Sequence, residues 1–244
     1  MSTEERNRPI SWTKVLIVAV GTICMGIMFL LVLSWPQQIR NGNRSRDQNN
    51  LKQIALAIIN YSDTNRGMPP PAIYSVDGKP LLSWRVLILP YLEEGKLFEQ
   101  FRLNEAWDSP HNLKLLNKMP AFYAPASHVE APPHHTFFRV FVGKGAAFES
   151  GQRLRFPEAF PDGTSKTILV VDAAEPVPWT KPDELLYSPD QPLLKVGGLY
   201  PGVFNVALAD GSVRAVSKKV SEATLRAAIT RNGRDTVGAD WPDD

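Results

Sequence analysis

The run Val15–Trp35, VLIVAVGTICMGIMFLLVLSW, holds 21 residues, and no charged side chain stands between Lys14 and Arg40. At 1.5 Å per residue such a helix is about 31 Å long, matching the roughly 30 Å hydrocarbon core of a bilayer. The run therefore predicts one membrane-spanning helix, since lipid offers no partner for backbone polar groups outside a helix or a closed barrel. Trp12 and Trp35 flank it, where an amphipathic indole favours the interface. A cleaved signal peptide would have a shorter apolar region and a small-residue exit, whereas this run ends in Leu33-Ser34-Trp35-Pro36. Gly21 and Gly26 are five apart, so the GxxxG dimerisation spacing is absent.

The flanks do not fix orientation. Arg6, Arg8 and Lys14 precede the run and Arg40, Arg44, Arg46 and Lys52 follow it, so the positive-inside rule gives no preference, and an exported carboxy-terminal domain is permitted. Arg40, Arg44 and Arg46 read as a topological or headgroup flank. The one cysteine, Cys24, falls inside the run and reads as a small apolar filler.

Beyond residue 39 lie 205 residues with 24 basic and 23 acidic side chains, enough for a substantial core. Whole-chain charge is nearly balanced, 27 basic against 25 acidic, which gives no electrostatic case for nucleic acid. Nineteen of the 21 prolines fall in this part, so it is rich in loops and short elements, and a long helical bundle is excluded.

After the turn-prone Asn41-Gly42-Asn43, the stretch from Asp47 to Asn60 carries Leu51, Ile54, Ala55, Ile58 and Ile59 at helical spacing. It reads as a second helix or as a continuation of the membrane helix kinked at Pro36. Ser83 opens SWRVLILPYLEE as a capped helix strained by Pro90, although VLIL alone also suits a buried strand. Asp108-Ser109-Pro110 reads as a helix start with Ser109 as cap. The second half alternates β-branched and aromatic runs with glycine turns, predicting an antiparallel sheet with strands at Thr136–Val142, Thr167–Asp172, Val203–Ala209 and Ser212–Val216. Asp210-Gly211 between the last two predicts a type I′ hairpin with positive φ at both central residues. A closing helix runs from its N-cap Ser221 to Arg231, with Gly233 as the stop.

The catalytic inventory is empty: no GxSxG elbow, P-loop, GxGxxG turn, HExxH or EF-hand loop occurs. His111, His128, His134 and His135 read as loop polarity, because adjacent His134 and His135 cannot face one side of a regular element and no cysteine is near to complete a zinc set. Asp77-Gly78, Asp162-Gly163 and Asp210-Gly211 read as turns, each with one carboxylate where calcium needs several oxygens. Trp84, Trp107 and Trp179 read as core aromatics, with a sugar-stacking surface as the alternative. No catalytic, cofactor-binding or metal-binding residue is assigned, and no cofactor is expected.

The stretches NNLKQIALAIINYSDT (Asn49–Thr64), LSWRVLILPYLEE (Leu82–Glu94), EAWDSPHN (Glu105–Asn112), PDGTSKTILVVDA (Pro161–Ala173), VPWTKPDEL (Val177–Leu185), FNVALADGSVR (Phe204–Arg214) and EATLRAAITRNG (Glu222–Gly233) together resemble domain-of-unknown-function family 1559 of planctomycete-type bacteria. The family is described as prepilin-like. The resemblance implies an α+β fold with a single amino-terminal transmembrane helix and a pilin-like exported domain, in which an amphipathic helix lies over an antiparallel sheet. It implies no established enzymatic activity. Two departures stand out. The run from Val15 lacks the preceding Gly-Phe and the following Glu of a prepilin signal, so the anchor is expected to be retained. Tyr200 occupies a position where many members carry His, so no role of that His transfers.

The domain organisation expected is thus a tail (1–14), a transmembrane helix (15–35), a juxtamembrane linker (36–46) and a domain (47–244). The function expected is that of a non-enzymatic, single-pass envelope protein, exported to the periplasm or cell surface, with the lipid bilayer as one partner and other envelope proteins or a second copy as others. An extracytoplasmic carbohydrate-binding module is the alternative, and an unrecognised hydrolase is the third reading.

Overall fold

Leu51, Ile54, Ala55 and Ile58 are fully buried along one stripe of helix α1, which covers residues 41–65. In the computed structural model, which describes residues 41–127 and 131–242, the turn-prone Asn41-Gly42-Asn43 is already helical. Of the linker expected over 36–46, residues 41–46 are helical, local turn propensity yielding to the helix, and residues 36–40 lie outside the described residues. The chain divides into two units, Met1–Asn43 and Arg44–Asp244.

The expected fold class needs a larger correction. The membrane helix predicted for Val15–Trp35 lies outside the described residues, and with it the bilayer contact. Among the described residues no helix is long and apolar enough to cross a membrane. Helix α1 has the length, but one of its faces carries Lys52, Gln53, Asn60 and Asp63 to solvent. What stands among the described residues is α+β with an antiparallel sheet, and none of their helices is a membrane span.

The sheet has strand order β3-β5-β7-β8, all antiparallel: β3 is His135–Arg139, β5 Ile168–Pro178, β7 Val203–Leu208 and β8 Val213–Ser217. The expected strand Thr136–Val142 breaks at Val140, giving β3 and the two-residue β4, Phe141–Val142, which pairs in parallel with β6, Leu185–Leu186. The break has a cause: the Val140 N–H donates to Glu184 Oε2 at 3.0 Å instead of to a strand. Strand β5 runs six residues further than TILVVD predicted, because its second half pairs with β3 through Thr136 and His135.

Alternation in β7 assigns the two faces. Ala207 faces the cluster that contains the buried stripe of α1, whereas Phe204, Val206 and Leu208 face a second cluster built with helix α4, Glu222–Ile229. The sheet therefore carries α1 on one side and α4 on the other. Ser221 caps α4 as predicted, its side chain accepting from the Thr224 N–H, but the helix ends at Ile229 with Thr230 extended, so Gly233 is not the stop.

The remaining elements are short, as the prolines require. Strands β1 (Ala72–Tyr74) and β2 (Pro80–Ser83) form a hairpin. Ser83 caps helix α2, Trp84–Leu87, as predicted, but the helix lasts four residues, and the chain re-forms as a 3-10 turn over Leu89–Leu92 with Pro90 in its first turn. Helix α3 is Gly95–Phe98. The helix expected at Ser109-Pro110 is a 3-10 run, Asn112–Lys118, although the Ser109 hydroxyl does accept from the Asn112 N–H at 3.1 Å.

The 208–212 hairpin corrects the type I′ expectation. Only Gly211 has positive φ, +83°. Gly211 N–H donates to Leu208 O at 2.9 Å and Leu208 N–H to Ser212 O at 2.8 Å, the pattern of a type I turn followed by a glycine bulge. The Asp210 carboxylate locks the turn by accepting from the Ser212 N–H and hydroxyl at 2.9 and 2.6 Å.

Candidate functional site

Residues 193–198 follow a proline-containing loop and lie against the end of β5. Ala174 N–H donates to Lys195 O at 3.0 Å, Gly197 N–H to Asp172 O at 2.7 Å and Gly198 N–H to Ala173 O at 2.9 Å. The segment thus continues the sheet beside β5 where the pairing with β7 has ended. Gly197 has φ +84°, and a Cβ there would lie 2.5 Å from Lys218 Cε and 3.1 Å from Phe204 Cβ, so only glycine lets the strand pass this closely.

Between this segment and α4 lies a cleft of about 510 Å³, within the range of small-ligand and peptide pockets. Its floor is apolar: Leu193, Val196, Phe204, Val220 and Leu225. Leu194 stands at its mouth, 44% exposed. Three charged residues line it, Lys195, Lys218 and Glu222. Glu222 is already engaged, accepting from Arg226 Nε and Nη2 at 2.8 and 2.6 Å. The Lys218 ammonium stands at the rim and donates to Gly197 O. The cleft therefore couples an apolar floor to a net positive rim, which suits an apolar group next to an anion. Two further clefts, about 450 and 320 Å³, lie at the end of α1 around Tyr61 and Arg153 and around Arg66 and Arg155.

Behind the cleft, on the α1 side of the sheet, is a sealed polar cluster. Asp47 and Asp172 are both fully buried. Asp47 accepts from the Tyr200 hydroxyl at 2.6 Å and from the Ala126 N–H at 2.8 Å. Asp172 Oδ2 accepts from the Asn205 N–H and side-chain amide at 3.0 and 3.2 Å, and Gln48 donates to Asn205 Oδ1 at 3.2 Å. Asp172 Oδ1 has no partner among the described residues. Burial, aided by the nearby Asp47 charge and opposed by the Asn205 bonds, pushes the Asp172 carboxyl up to about 7. Burial likewise raises Asp47, with the Tyr200 hydrogen bond opposing it. These carboxyls are the chemically perturbed pair, but zero exposure keeps any substrate from them.

The residues singled out in the sequence do not converge. Trp84 and Trp179 are completely buried, and Trp179 stacks on Tyr123 with its Nε1 donating to Leu116 O at 2.9 Å. Trp107 is half-buried against the same core, so the three tryptophans are core aromatics as expected and the alternative of a sugar-stacking surface falls. His111 Nε2 bonds Gln100 O at 2.8 Å and His135 Nδ1 bonds Pro133 O at 2.9 Å. His134 sits at φ +61° with its carbonyl accepting from the Trp179 N–H, and His128 lies outside the described residues. Gly78, Gly163 and Gly211 all have positive φ, so the three Asp-Gly pairs are turns. Among the described residues no group of three His, Cys, Asp or Glu is placed to hold a metal ion. Arg46 is exposed on α1, Arg44 is half-buried one turn before Asp47, and Arg40 lies outside the described residues.

The polar cluster leaves a trace in the sequence. Asp47 lies four residues before Leu51, on the buried stripe, and Asn205 interrupts VFNVALA at a position facing α1. The cleft had no signal of its own, because LLKVGG reads only as a loop with two glycines.

No curated protein and no solved structure gives a significant match to the chain. A family model described as Protein of unknown function (DUF1559) matches residues 37–160, which hold α1 to α3 and β1 to β4 and leave the cleft outside the matched part. On that match, over half of its length, this chain belongs to the DUF1559 family.

Proposed function

We propose that this protein is a non-enzymatic partner-binding protein, whose cleft between residues 193–197 and α4 receives an apolar segment of another protein bearing acidic side chains. The observation that carries the reading is the pairing of an apolar floor with two rim lysines while the one rim carboxylate is held by Arg226. Apolar burial supplies affinity and the rim charge supplies selection for acidic partners. A non-enzymatic role is supported by where the perturbed groups lie: Asp47 and Asp172 are sealed beneath α1, whereas the open cleft holds lysines and aliphatic side chains.

The test is a titration of the full chain with an acetylated Leu-Asp-Phe-Asp peptide, followed by NMR shifts of Leu193, Leu194 and Val196. Saturable shifts at these residues are expected. Lys195→Glu, an exposed position, is expected to weaken binding at least about tenfold at low salt, and Leu194→Asp should do the same. Equal binding by both variants, or shifts elsewhere on the surface, rejects the reading.

A further inference from the structure

Strand β8 ends the four-stranded sheet, with β7 on its inner side. The Leu208–Ser212 bond sets the phase of the ladder: Arg214 pairs with Val206 and Val216 with Phe204, directing their backbone groups inward. With a period of two, the N–H and C=O of Val213 and Ala215 point outward. Among the described residues no backbone or side-chain group bonds to them. The β7–β8 register has no bulge, and β8 contains no proline, so this edge lacks two of the usual devices that keep an edge strand from pairing.

Charge along the strand indicates the occupant. The exposed Asp210 lies at its start, and the exposed Lys219 lies just past its end. Such a strand is complementary to itself when run antiparallel. A two-fold axis at Ala215 sets Val213 opposite Ser217 of the other copy, and Arg214 opposite Val216 rather than opposite another Arg214. Lys219 then lies beside the turn that carries the other copy's Asp210. The outward groups of the two Ala215 residues are in phase to exchange both bonds of a hydrogen-bonded pair.

We infer that β8 is a self-association edge: two copies of this chain join antiparallel through Val213–Ser217, extending the sheet across an isologous two-fold interface. The edge is separate from the cleft, and the inference goes beyond the partner-binding reading.

Sedimentation velocity on the full chain should show a dimer. Ala215→Pro should convert it to monomer with an unchanged far-UV spectrum, because the lost N–H points away from β7. In a Cys24→Ser background, Ala215→Cys should oxidise to a covalent dimer, its two Cα atoms being about 5.5 Å apart across the axis, inside disulfide range. Val213→Cys should not, since its two copies would lie about four residues apart, roughly 13 Å. A monomeric wild type, or equal cross-linking of the two cysteine variants, overturns the inference. Should the proline variant unfold, the comparison of the two cysteines decides by itself. The Lys195→Glu cleft variant should leave the dimer intact, so failure here and failure of the cleft reading are separate results.

Discussion

The Tyr200 hydroxyl donates to the Asp47 carboxylate at 2.6 Å, tying the loop before β7 to the first turns of α1 across 153 residues of sequence. Both groups are buried, so the bond is the chief compensation for placing an acid on the apolar stripe of a helix. Tyr200 stands where family resemblance leads one to expect His, and here its phenol serves as a buried donor.

Tyr200→Phe removes that donor and leaves a buried carboxylate oxygen without it. A loss of about 1–3 kcal/mol in urea unfolding is expected. The loss should be larger at pH 8 than at pH 4, because the ionised carboxylate needs the donor more than the neutral acid does. An identical loss at both values would mean that Asp47 does not change its protonation state between them.

The Asp172 carboxyl carries a pH prediction. Its folded value is raised from 3.8 to about 7, so between these limits the folded state binds more protons than the unfolded one. Stability contributed by this group is full below about pH 4 and is lost as pH rises towards 7. Asp172→Asn removes the titration. Wild-type stability minus that of the variant should therefore fall across this window, by at most about 1.4 kcal/mol per pH unit, and be level above it. A difference that rises with pH would contradict the burial-dominated assignment.

Arg85 is fully buried and gives 2.7 Å to Glu184 Oε1, 3.0 Å to Trp179 O and 3.3 Å to Phe138 O. It ties α2 to the sheet. Arg85→Met alone strands the Glu184 charge and should cost about 3–5 kcal/mol, whereas Arg85→Met combined with Glu184→Leu should cost less than either change alone. Thermal and urea unfolding of the three variants checks this ordering.

Gly211 holds φ +83°, and a Cβ there would lie 3.4 Å from Leu56 Cδ2 on α1. Gly211→Ala should destabilise by about 1–2 kcal/mol through the left-handed backbone. Gly211→Asn, which tolerates that conformation better, should lose less in the same melting experiment.

The elements that could be read from sequence were those whose local pattern and tertiary fate agree. Leu51, Ile54, Ala55 and Ile58 mark a helix face whether or not the sheet beneath is known. Ser83 and Ser221 cap the helices they announce. TFFRVFV was harder, because the strand breaks at Val140 only when Glu184, 44 residues away, takes its N–H. Trp84, Trp107 and Trp179 carry the same local signature whether they stack on sugar or on Tyr123. Asp47 and Asn205 were visible as polar intrusions in apolar patterns, but nothing in their neighbourhoods named Tyr200 or Asp172 as partners.

By itself the sequence determined the buried face of α1, the core strands of the sheet, the caps at Ser83 and Ser221, the loop-rich character imposed by its prolines, the turns at the three Asp-Gly pairs, and the family to which the chain belongs. These follow from short-range physics: periodicity, capping and φ restriction act over a few residues. Tertiary structure alone decided that Asp47 and Asp172 share one sealed cluster, that residues 193–197 and α4 open a cleft, and that β8 ends the sheet. Each of these joins segments tens of residues or more apart, and burial, pKa and edge exposure are properties of the assembled sheet rather than of any stretch within it.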